Sequence, residues 1–178
     1  MLFAPTLCEQ TGPNQGDYRF VLEQSGSKVL IVIGLNPSTA SDQESDQTIR
    51  KTMGFAELAG YDGFAMINLF PKRATNKYEL DETIDSVAHH KNLDAIESLS
   101  KRYPSSDVLV AFGNDIYLRS YLVNCFKDLV QTLDPEYKRH WLQIGQLTKA
   151  GNPRHPLYAA YELGLQPFDL NLYLSKLK

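Results

Sequence analysis

The sequence predicts an α/β fold, a three-layer sandwich with a four-stranded, mostly parallel central sheet, in a single domain over residues 1–178. Four short apolar runs, at 29–33, 64–68, 107–112 and 140–144, are continuous rather than alternating, which marks strands buried on both faces. Segments with helical periodicity separate them, as right-handed crossovers between parallel strands require. Each run stops at polar or glycine-rich residues, so the strand ends are expected to meet at one edge and form one cleft.

In chain order, residues 9–17 read as a polar loop and 18–23 as a short strand. The turn Ser25-Gly26-Ser27 suggests a hairpin with the next strand. That strand, VLIVI at 29–33, breaks at Gly34-Leu35-Asn36-Pro37. Asp46 precedes a helix with Ile49, Met53, Ala56 and Leu58 on one stripe and Gly60 as its stop. FAMIN at 64–68 is the second buried strand, followed by a long loop through LFPKRATNKYEL. Ile84, Val87, Leu93, Ile96 and Leu99 define a helix over 83–101. DVLVAF at 107–112 ends on Gly113-Asn114, and a helix over 116–133 follows. HWLQI at 140–144 is the fourth strand, residues 145–158 form a polar loop, and helical turns are expected in 157–163 and 169–177.

With 43% hydrophobic residues, 178 residues suffice for a full-sized core. The formal net charge of -3 gives no global attraction to nucleic acid or anionic membranes, so such contact needs a local basic patch. Cys8 and Cys125 are too few for a disulfide framework, which suits a reducing cytoplasm. No apolar run approaches the about 18 residues of a membrane span, so a soluble protein with no membrane partner is expected.

Several polar residues at strand ends carry two readings. Asn36 is a turn residue before proline, or an amide that positions a water molecule. Asn68 braces a loop, or offers a donor and an acceptor to a planar base edge. Lys72, Arg73 and Lys77 are solvated surface, or a basic loop for phosphates. His155, between Arg154 and Pro156, braces its loop or donates a strong hydrogen bond. Asp46 is a helix N-cap, with general base as the other reading. His89 and His90 project about 100° apart on a helix and read as surface. Ser38 lacks the frame of a nucleophile elbow, and no glycine-rich phosphate motif is present. A metal-dependent hydrolase using Asp42, Glu44 or Asp46 would lack a histidine at ligand spacing, so no metal and no cofactor is implied.

The succession GLNPSTA, DQTIRK, GYDGFAMINLFPKRAT, VLVAFGN and GNPRHPLY resembles an uncharacterised bacterial family, catalogued as a domain of unknown function. More distantly, the order of strand-end motifs is similar to the uracil-DNA glycosylase superfamily. Gly34-Leu35-Asn36-Pro37 is similar to the first motif of its asparagine-bearing, mismatch-specific branch. Residues 66–73, MINLFPKR, look like the T-N-x-x-K-x-R stretch of the iron-sulfur branch, and Val110-Ala111-Phe112-Gly113 like the strand after it. Arg154-His155-Pro156-Leu157 resembles the late histidine-proline motif with leucine in place of serine, and the four cluster cysteines are absent. The resemblance implies a uracil-DNA-glycosylase-like fold and a DNA N-glycosylase-like hydrolase that releases a nucleobase. Asn36 would then position water and His155 would stabilise the leaving base. Gly34, Asn68, Phe70, Gly113 and Asn114 would hold the base, and Lys72, Arg73 and Arg154 the phosphates. The competing reading is a module that binds a nucleobase, nucleotide or nucleic acid without chemistry.

Overall fold

The structure is a computed structural model that describes residues 3–11, 17–38, 46–74, 76–136 and 138–177. Its strands are β1 (Leu7–Thr11), β2 (Tyr18–Gln24), β3 (Val29–Gly34), β4 (Gly63–Asn68), β5 (Val108–Val110), β6 (Trp141–Ile144) and β7 (Leu165–Pro167). The helices are α1 (Gln47–Leu58), α2 (Ser86–Arg102), α3 (Leu122–Leu133) and α4 (Leu170–Lys176). The strands form one mixed sheet in the order β1-β2-β4-β3-β5-β6-β7.

The four apolar runs form its centre, and β4, β3, β5 and β6 are parallel to one another. The sheet nevertheless has seven strands rather than four, because β1, β2 and β7 extend both edges in antiparallel pairing. β2 does not make the expected hairpin with β3. Both sides of β3 are occupied by β4 and β5, and β2 pairs with β4 instead. β1 falls partly in the segment read as a loop, residues 12–16 of which lie outside the described residues.

Helices cover both faces, and alternate residues along each strand show it. Val29, Ile31 and Ile33 pack in one cluster with Ala95, Ile96 and Leu99 of α2, Phe126 and Leu129 of α3, and Tyr173 of α4. Leu30 and Val32 pack in the other with Ile49, Met53, Phe55 and Ala56 of α1. Three helices begin at an aspartate whose carboxylate accepts from a backbone N–H of the first turn: Asp46, Asp85 and Asp169. The helix expected over 116–133 is divided. A short 3₁₀ turn at Asp115–Tyr117 comes first, and α3 starts only at Leu122. Between them Arg119 donates to the carbonyls of Tyr78, Leu80 and Asp81, which fastens this stretch to the loop after β4.

Among the described residues no helix is long and apolar enough to cross a membrane.

Candidate functional site

Because the four inner strands run in parallel, their carboxyl ends share one edge, where the backbone turns away and leaves a crevice. A cleft of about 640 Å³ lies there. Gly34, Leu35, Asn36 and Ser38 line it from the end of β3 and the residues beyond, and Asp46, Thr48 and Ile49 from the start of α1. The loop after β4 contributes Ala74, Asn76 and Lys77, and the loop after β5 contributes Phe112, Gly113, Asn114 and Asp115. Thr148, Arg154, His155, Leu157, Tyr158 and Ala159 close it from the segment after β6, and Arg19 and Met66 reach it from β2 and β4.

Of the residues singled out in the sequence, Gly34, Asn36, Gly113, Asn114, Arg154 and His155 line this cleft. Asn36 Nδ2 donates to the carbonyls of Pro37 and Ala74, which joins the loops after β3 and β4. Its carboxamide is thereby oriented, and among the described residues nothing donates to its Oδ1. Gly113 has φ of +77°, and an added Cβ would stand 3.2 Å from His155 Cβ, so a side chain there would be strained and crowded. Asn114 Oδ1 accepts from Thr148 Oγ1 at 2.7 Å and so ties together the loops after β5 and β6.

His155 accepts at Nδ1 from the Leu157 N–H at 3.3 Å. In the neutral ring this places the proton on Nε2, making that atom a donor. Burial pushes the imidazole below its ordinary pKa of 6.5; Asp115 and Asp46 pull it back and Lys77 adds to the lowering. His155 is therefore neutral near pH 7.

Asn68 stands in register beside Gly34 across β3 and β4. It is fully buried, and among the described residues neither Oδ1 nor Nδ2 has a hydrogen-bond partner. The position a Cβ would take on Gly34 is 2.6 Å from Asn68 Oδ1 and 2.6 Å from Met66 Cε. Asn68 does not itself line the cleft; the missing side chain of Gly34, which does, leaves room for the carboxamide directly behind it. The backbone oxygen of Asn68 accepts from Asn92 Nδ2, which holds the strand end against α2.

Of the remaining sequence candidates, Phe70, Lys72 and Arg73 stand elsewhere. Phe70 is fully buried in the core, its ring 5.2 Å from that of Tyr121. Lys72 pairs with Asp81, and Arg73 donates to Gln10 Oε1 at 2.8 Å; neither lines the cleft. The backbone explains this, since Tyr18 bridges Lys72 and the Arg73 N–H donates to Asp17, holding the segment along the start of β2. Lys77, from the same basic run, does line the cleft, and its ammonium lies 2.7 Å from both Asp115 carboxylate oxygens. Asp46 is the N-cap of α1, Oδ1 standing 2.7 Å from Ile49 N; its Oδ2 accepts from Ser38 Oγ, and the residue also lines the cleft. Asp42 and Glu44 lie outside the described residues. Among the described residues no three His, Cys, Asp or Glu side chains are grouped as metal ligands.

Sequence reasoning passed over Arg19, Asp115 and Tyr158. Arg19 is 1% exposed, and burial, reinforced by nearby Arg73, lowers its guanidinium to about 10. The signal was available, an arginine inside the otherwise apolar stretch YRFVL. The cleft thus combines Arg19, Arg154 and Lys77 with the carboxylates of Asp46 and Asp115 and a neutral imidazole.

These features define an α/β protein with helices on both faces of a mixed sheet and a polar cleft where its parallel strands end. A family model described as "Protein of unknown function (DUF1643)" matches residues 19–157, and the chain belongs to that family. The match includes every residue of the cleft except Tyr158 and Ala159. No curated protein and no solved structure matches the chain.

Proposed function

We propose that the cleft binds a nucleobase-bearing ligand, a base, nucleoside or nucleotide, whose polar edge is read by Asn68. The observation that carries this is the carboxamide of Asn68, buried directly behind the cleft-lining Gly34 with both polar atoms unpartnered among the described residues. Buried polar groups are nearly always hydrogen-bonded, and leaving one unsatisfied costs about 1–3 kcal/mol. A side-by-side donor and acceptor matches the amide-like edge of a base and would be satisfied by it. The size also suits such a ligand, since about 640 Å³ falls within the range of small-molecule pockets. Phosphate is assigned to Arg154, because Lys72 and Arg73 lie off the cleft.

His155 favours a second reading, release of the base by N-glycosidic hydrolysis, as the likeness to uracil-DNA glycosylases implies. Water oxygen would bond to the sugar carbon as the carbon–nitrogen bond breaks, the bonding pair leaving with the base. The neutral His155 Nε2–H would donate to that charge, Asn36 Oδ1 would hold the water, and Asp46 would accept its proton.

Titration calorimetry with a panel of bases, nucleosides and nucleotides tests the first reading. Binding of one class, weakened at least tenfold in Asn68→Ala, supports it; affinity equal in the variant, or absent for the whole panel, overturns it. Chromatography of the same mixtures for released base tests the second reading. Binding without release leaves the protein a binding module.

A further inference from the structure

Two tyrosines at the mouth of the cleft are left in water. Tyr158 lines the cleft yet is 87% exposed, and Tyr78, next to the lining residue Lys77, is 65% exposed. The Lys77 ammonium lies 5.5 Å from the centre of the Tyr78 ring and is held by both oxygens of Asp115. The Tyr158 ring centre is 6.0 Å from that of His155, continuous with the interior of the site. Arg154 donates Nε to the Gln146 carbonyl at 2.9 Å, which steadies the guanidinium at the cleft wall. Among the described residues its two terminal nitrogens make no hydrogen bond, and a guanidinium so placed suits a phosphate.

We infer that the cleft mouth is a second ring-binding subsite, where Tyr78 and Tyr158 take a second planar ring and Arg154 holds the phosphate joining it to the first. This rests on the reading of the cleft as a nucleobase site. Exposed aromatic rings beside a cation are the elements on which successive bases stack. Charge sets the extent of the ligand. Lys77 is neutralised by Asp115, so among the described residues at the mouth Arg154 is the cation left for an anion, which fits one phosphodiester rather than a polyanionic track. The chemical class is two bases joined through one phosphate, whether a free dinucleotide or a short stretch of single strand.

Calorimetry with the full chain tests this using a mononucleotide, the 3′,5′-linked dinucleotide, the same dinucleotide lacking its second base, and a tetranucleotide. The second base should tighten binding about tenfold, within the range for one base–aromatic stack. The abasic analogue should lose that gain. Tyr78→Ala with Tyr158→Ala should abolish it, read as the ratio of dinucleotide to mononucleotide affinity, and the corresponding phenylalanine pair should restore it. Both side chains are exposed, so neither change disturbs the core. A tetranucleotide that binds tighter still identifies single strand as the source; equal affinity identifies the dinucleotide. Mononucleotide binding with no gain from the second base, or a gain that survives the alanine pair, overturns the subsite. Failure of the mononucleotide and every longer ligand to bind overturns the nucleobase reading itself, and the subsite with it.

Discussion

The two edges of the parallel sheet bury polar groups in opposite ways. At the amino edge, before β5 and β6, Arg139 donates to the carbonyls of Leu133, Tyr103, Ser106 and Ser100 and to Ser100 Oγ. Asp134 beside it accepts from the N–H groups of Lys138 and Arg139 and from Trp141 Nε1. Both charges there are answered by several partners, so the network joins α2, α3 and β6 and asks for no ligand. At the carboxyl edge, Asn68 is fully buried, and among the described residues neither polar atom of its side chain has a partner. The contrast sets two charges whose partners all lie within the fold against one carboxamide whose partners do not.

The largest test of that division is Arg139→Met. Losing a half-buried cation with so many hydrogen bonds should cost about 3 kcal/mol in urea unfolding, with ligand affinity per folded molecule unchanged. Loss of binding at undiminished stability would show that the amino edge belongs to the site. Gly34→Ala comes next. Its Cβ would stand 2.6 Å from Asn68 Oδ1 and from Met66 Cε, so about 2 kcal/mol of overpacking is expected together with weaker binding. Asn68→Leu should act in the opposite sense on stability. Replacing an unpartnered buried carboxamide with an apolar group of similar size should raise unfolding free energy by about 1 kcal/mol while abolishing binding. A loss of several kcal/mol would instead mean that Asn68 braces the fold.

The smallest effect concerns pH. His155 is held below its ordinary value of 6.5 by burial, so between that value and its folded-state value the unfolded chain binds more protons. The wild type should therefore lose stability relative to His155→Gln as pH falls below 6.5, and the two should run in parallel above it. Parallel curves from pH 7 to pH 5 would show that His155 is not buried as described.

Much of this architecture was legible because it is local. The β-branched and leucine run at 29–33 reads as a strand covered on both sides, and Asp46 ahead of an apolar stripe as the start of a helix, and the structure has both. Strand ends carrying Gly34, Gly113 and the 145–158 segment converge because parallel pairing leaves them no other edge. The edge strands were not legible. LCEQT and LQP hold their place through backbone ladders with distant partners, which composition does not record. The basic run shows the same limit within the site. Lys72, Arg73 and Lys77 are neighbours in the chain, yet pairing of 71–73 with the start of β2 takes the first two away from the cleft, while Lys77 reaches it against Asp115. Arg19 enters the site by the same long-range pairing that removes them. Periodicity and propensity, which a sequence displays directly, determined which residues form strands and helices and where the cleft would open. Which side chains face that cleft was decided by register between segments far apart in the chain, because a side chain's direction depends on the partner its backbone meets.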